Sequence, residues 1–188
     1  AQAPTATGTD PNGNFIRFSI GDVETSGLEI ETIAVPIDGL ELTGNLALLE
    51  APDPATSPRM LNTVNTVRGY REVAYQRQSI TGWVEGPAAE AACLRGVSNF
   101  LIDTIDDPPF CESLMDLCVD NAIRFAQAQI EAGADTIGVG DSVVSQLGPD
   151  VYARLVLPRQ QKLFAAIHEA GALVRLHICG DINHLLPQ

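Results

Sequence analysis

Apolar positions along this chain of 188 residues follow two periods, and the changeover between them lays out the elements. Period two comes first. Residues 15–20 and 27–36 alternate apolar and polar positions, with Ile30, Ile33 and Val35 set among acids, and predict strands. A loop marked by Pro52, Pro54 and Pro58 leads into residues 59–76, where Met60, Val64, Val67 and Val73 recur at near-helical spacing. Three short strand-like segments follow at 79–85, 135–141 and 173–179. Residues 110–132 read as one long helix with Leu114, Leu117, Ala122, Phe125 and Ile130 inward, ended by Gly133. A second helical stretch opens at Gly148-Pro149-Asp150, is interrupted by Pro158, and turns Leu163, Phe164 and Ile167 inward up to Gly171. Residues 1–14, rich in Ala, Thr, Pro, Gly and Asn, are expected to be a flexible lead-in.

Strands alternating with helices long enough for right-handed crossovers predict a parallel sheet. Its fold class is α/β, either a (β/α)8 TIM barrel or a doubly wound sheet. The barrel fits better. Glu85, Asp141, His177 and Cys179 all fall at carboxyl ends of strands, where a barrel gathers its chemistry, and no glycine-rich phosphate fingerprint follows the first strand. A whole barrel typically takes about 250 residues. Four strand candidates at most therefore predict roughly its N-terminal half over residues 15–188, truncated before the later strands. A half barrel leaves an unpaired strand edge, so self-association, pairing with the other half or aggregation is expected.

Charge narrows the partners. Eleven basic against 24 acidic residues leave a net −13, which argues against nucleic acid and anionic membrane surfaces. No apolar run approaches the ~18–20 residues of a membrane span, and no basic-plus-apolar leader pattern opens the chain. Cys93, Cys111, Cys118 and Cys179 form no C-x-x-C pair, so reduced thiols in a cytoplasmic protein are expected. The first three read as buried small residues, with Cys111 and Cys118 seven apart on one helix face.

The richest chemistry lies in Leu176-His177-Ile178-Cys179-Gly180. Side chains two apart on a strand share a side, and imidazole nitrogen and thiolate sulfur are ligands zinc favours. Two ligands are half a metal site. The plainer alternative is a packed strand end with an ordinary cysteine. Asp141 reads as a functional carboxylate or as a cap for the helix after it, Glu85 as a site acid or a solvated loop acid, and Ser142 as a site hydroxyl or a turn residue. His168 reads as a surface residue.

Several segments in order resemble the uroporphyrinogen decarboxylase superfamily: Gly82-Trp83-Val84-Glu85-Gly86-Pro87, Leu94-Arg95-Gly96, Asp106-Asp107-Pro108, the run from Ala128 to Asp135, Gly140-Asp141-Ser142, Leu147-Gly148-Pro149, and the His177-x-Cys179-Gly180 strand end. The resemblance implies a (β/α)8 barrel. His-x-Cys-Gly is similar to the signature of the branch that moves a methyl group between a corrinoid and a thiol such as coenzyme M. It implies that His177 and Cys179 bind Zn2+, with a third protein ligand from outside this chain. Asp141 or Glu85 would then orient His177 or fill a coordination position, and Ser142 would join the catalytic set. Partners on this reading are a thiol substrate and a corrinoid, as methylcobalamin or on a separate protein. The decarboxylase branch, which works without metal, matches less well: its serine is retained at Ser142, but its tyrosine falls near Cys93, and Asp22 is only an out-of-register candidate for its aspartate. A non-catalytic binding module is the third alternative.

Overall fold

The computed structural model describes residues 51–74 and 78–186, together with the backbone of strands at 5–9, 15–19, 27–37 and 40–49. They divide into two units, Ala1–Pro52 and Asp53–Gln188. The first holds two antiparallel pairs: β1 (Thr5–Thr9) with β2 (Phe15–Ser19), and β3 (Gly27–Ile37) with β4 (Leu40–Leu49). Register slips between Ala34 and Ile37, around Pro36, which has no N–H to give the ladder. β1 lies inside the stretch expected as a lead-in. β4 is a strand that periodicity misses, because Leu46-Ala47-Leu48-Leu49 blurs the alternation. Asp22 lies outside the described residues.

The second unit begins with α1 (Pro58–Ala74) and β5 (Thr81–Glu85). Two short helices follow, α2 (Pro87–Arg95) and α3 (Val97–Asp106), and then the long α4 (Pro108–Glu131). β6 (Thr136–Gly140) leads through a 3-10 turn at Ser142–Gln146 to α5 (Pro149–Val151). A π-helical turn at Tyr152–Val156 runs into α6 (Leu157–Glu169), and β7 (Leu173–His177) closes the set. The three strands form one parallel sheet in the order β5-β6-β7, as the strand–helix alternation predicts. α2 and α3 are the main addition. The Ala-rich run of α2, Ala88-Ala89 and Ala91-Ala92, is buried, yet it carries no large apolar residue for a periodicity reading to find.

Helices of this unit cover one side of its sheet. Val84, Ile137 and Val139 pack against Val119, Ala122 and Ala126 of α4 and Leu163 and Ile167 of α6. A second apolar cluster around Phe100 and Met115 joins α2, α3 and α4 to Val144, Leu155 and Val156. Cys111 and Cys118 are buried there as expected, whereas Cys93 is exposed on α2, and all four cysteines are free. No described helix is long and apolar enough to cross a membrane.

Gln129, buried on α4, binds β5 from its side. Its Oε1 accepts from the Trp83 N–H at 2.9 Å and its Nε2 donates to the Trp83 carbonyl at 3.0 Å. Replacing it by leucine keeps the volume but leaves two backbone groups without partners, each worth about 1–3 kcal/mol when buried. Gln129→Leu is therefore expected to cost about 3 kcal/mol. A urea midpoint unchanged from the parent would contradict that.

Candidate functional site

Strand pairing fixes which side chains share the side of the sheet opposite the unit's helices. One rung is Trp83, Gly138 and Arg175; the next is Glu85, Gly140 and His177. Partnered residues of parallel strands face the same way, so Trp83, Glu85, Arg175 and His177 stand together opposite the helices. Each is exposed, and Trp83 keeps 43% of its surface.

At the carboxyl end of β7, His177 Nε2 lies 3.0 Å from Cys179 Sγ. Roughly 3.5 Å separates a nitrogen and a sulfur that share a tetrahedral zinc, given bonds of ~2.0 and ~2.3 Å. The donor pair therefore fits one nitrogen and one sulfur position of such a site with a small adjustment. Among the described residues, no group of three or more His, Cys, Asp and Glu is arranged to hold a metal. Among the described residues, His177 Nε2 and Cys179 Sγ are the two donor-type atoms brought together at this strand end.

Ser142 reaches this pair, its Oγ accepting from the Cys179 N–H at 3.4 Å. Gly180 has φ +114° and packs on Ser145, where a Cβ would come within 2.9 Å of the hydroxyl. The turn after β7 is thus seated on the turn after β6, and only glycine suits both the backbone and the gap.

Glu85 does not reach for His177 through a hydrogen bond. Its Oε1 accepts from the Trp83 indole N–H at 3.0 Å. The indole lies over β6, where a Cβ on Gly138 or Gly140 would fall 2.4 or 2.6 Å from its ring carbons. Beyond the glycines it meets His177, with ring centroids 6.1 Å apart and planes tilted by 57°. Sequence reading passed over Trp83 as a functional residue. The signal for it was Gly-x-Gly on the neighbouring strand, a shelf bare of side chains.

Asp141 occupies a different place from the one expected. Its side chain is buried and turned toward α2, with Oδ1 accepting from the Ala89 N–H and Oδ2 from Gln160 Nε2, both at 2.7 Å. Both oxygens are engaged, so the expected bond to His177 is not formed. Nor does it cap the turn that follows it; it caps α2, which begins after β5. Gly86 makes this approach feasible, because a Cβ there would fall 2.5 Å from the carboxylate carbon. Burial pushes the Asp141 carboxyl up to about 6, against the hydrogen bonds from Gln160 and the α2 backbone, which pull it down. Gln160 also accepts from the Tyr152 hydroxyl at 2.9 Å, on the π-helical turn. Sequence reading missed Gln160, and it took Tyr152 only as part of the family-like pattern, without a link to Asp141.

The uroporphyrinogen decarboxylase (URO-D) family model matches residues 28–188. The chain belongs to the uroporphyrinogen decarboxylase family. Within it, a methylcobamide:CoM methyltransferase, MtaA of Methanosarcina barkeri, is 31% identical over 159 residues, covering 84% of this chain and 42% of that protein. A uroporphyrinogen decarboxylase of Geobacillus thermodenitrificans is 36% identical, but over 66 residues, 35% of this chain. Among solved structures, a methyltransferase from Methanosarcina mazei superposes with a TM-score of 0.62 at 25% identity, covering 75% of this chain and 45% of that one. The parallel sheet and its helices are thus part of the (β/α) barrel of the uroporphyrinogen decarboxylase family. The chain spans less than half the length of the curated relatives it matches.

Proposed function

We propose that this uroporphyrinogen decarboxylase family chain contributes to an enzyme moving a methyl group between a corrinoid and a zinc-activated thiol, with His177 and Cys179 as two zinc ligands. One observation carries the reading: imidazole nitrogen and cysteine sulfur converge at a strand's carboxyl end, 3.0 Å apart and open to solvent. Likeness to methylcobamide:CoM methyltransferases supports it, since that similarity covers far more of the chain than the likeness to decarboxylases.

When bound, zinc makes a coordinated thiol reactive as its thiolate near neutral pH. The chain's own residues do the rest. As ligands, His177 would offer a ring nitrogen and Cys179 its sulfur. Ser142 holds the Cys179 backbone, and Trp83 with Glu85 forms the floor beside the pair. A third protein ligand comes from elsewhere in the protein, and the corrinoid approaches as methylcobalamin or on a partner protein. The protein acts in the cytoplasm on this reading.

The test is metal analysis of the full gene product, followed by a methylcobalamin and coenzyme M assay. Expected are near one zinc per chain and zinc-dependent methylation of the thiol. Absence of zinc, with decarboxylation of a tetrapyrrole acetate side chain, transfers the protein to the other branch.

A further inference from the structure

We propose that Trp83 and Glu85 act as a positioning pair for His177, with Glu85 holding the indole and the indole setting the imidazole. The proposal rests on the reading of His177 as a metal ligand and names what orients it. A histidine ligand needs an orienter, because its terminal torsion is broad and roughly two-fold. Usually a carboxylate or carbonyl on the other ring nitrogen does this. Here His177 has one side-chain hydrogen-bond partner among the described residues, Cys179. Asp141, the neighbouring carboxylate that sequence order offers, is committed to α2 and Gln160.

Trp83 stands where an orienter is needed. Its indole crosses from β5 over the bare backbone of Gly138 and Gly140 and abuts the imidazole, at an aromatic-pair distance and tilt. Gly138 and Gly140 form the indole's bed, and the Glu85 carboxylate fixes its N–H end. A half-turn of the imidazole keeps its centroid and plane, so the indole sets the ring's tilt while the approach to Cys179 selects which ring atom faces the sulfur. The chain contains one tryptophan, so its emission reports on this position.

Co2+ titration of the metal-free full gene product tests the proposal, read by thiolate-to-metal absorbance and by Trp83 emission. In the parent, both signals should move with one midpoint, the emission being quenched. W83A should weaken Co2+ binding about 10-fold or more, in line with the ~10–100-fold typical of lost outer partners of a ligand. W83F, which restores a ring, should recover most of it. E85Q keeps an oxygen for the indole and should stay near the parent; E85A should weaken binding. A purely structural role would shift the melting temperature of the metal-free protein and leave affinity alone. W83A binding Co2+ within about twofold of the parent overturns the proposal, as does E85Q falling as far as E85A, since Glu85 would then act by its charge. If W83A does not fold, E85A carries the test, and parental affinity there overturns the proposal. Co2+ binding that ignores C179S in the otherwise parental protein sinks the metal reading instead.

Discussion

Cys179→Ser is expected to leave the protein folded and to drop its zinc content from near one per chain to near none. Cys179 is exposed in the turn after β7, so the change removes a ligand without opening a core cavity. Structural zinc sites with four protein ligands bind with about 10–16 kcal/mol, so one ligand's share is roughly 2.5–4 kcal/mol, on the order of a hundredfold or more in affinity. Serine offers a hard oxygen that stays protonated near neutral pH. Atomic absorption after gel filtration reads the result directly. Unchanged stoichiometry in the serine variant removes the His-x-Cys pair from the metal site.

Asp141 should govern stability rather than metal. Asp141→Ala strips acceptors from the Ala89 N–H and from Gln160, both in a buried setting, and should cost about 2–4 kcal/mol by urea unfolding at pH 5. That is a large share of an ordinary domain's stability. The pH dependence separates charge from packing. The native carboxyl titrates near 6, above the ~3.9 of an unfolded chain. Between those values the folded state holds a proton that the unfolded state has released. This group's contribution therefore falls as pH rises from about 4 to about 6, and stays level above. Asp141→Asn cannot titrate and keeps an oxygen for Ala89, so that slope should vanish from its unfolding curves. A variant retaining the full slope would place the titrating group elsewhere.

Much of this was legible in the chain. The runs around Val84, Val139 and Val174 announce strands, and Leu114, Ala122 and Ile130 announce a helix, because each element buries one side and must repeat its apolar residues at its own period. The parallel sheet followed from their order. His177 and Cys179 were legible as a pair from their spacing, although β7 stops at His177 and Cys179 converges on it from the turn that follows rather than from the strand. What escaped was built across elements. Asp141 reads locally as a cap for its own turn, and only the packing of β6 against α2 shows it serving another helix. Trp83 reads as one more aromatic until pairing sets it over Gly138 and beside His177. Gln129, on the inward side of a long helix, gives no hint that its amide serves the backbone of β5.

The two-sided sheet has a consequence for how such a protein can change. Aliphatic residues at 84, 137 and 139 anchor the fold on the helix side, while 83, 85, 175 and 177 look the other way. Stability and chemistry therefore draw on alternate positions of the same strands. Selection can exchange the second set, and with it the reagent handled, while the first set keeps the scaffold folded. One short parallel sheet can in this way serve descendants with unlike reactions.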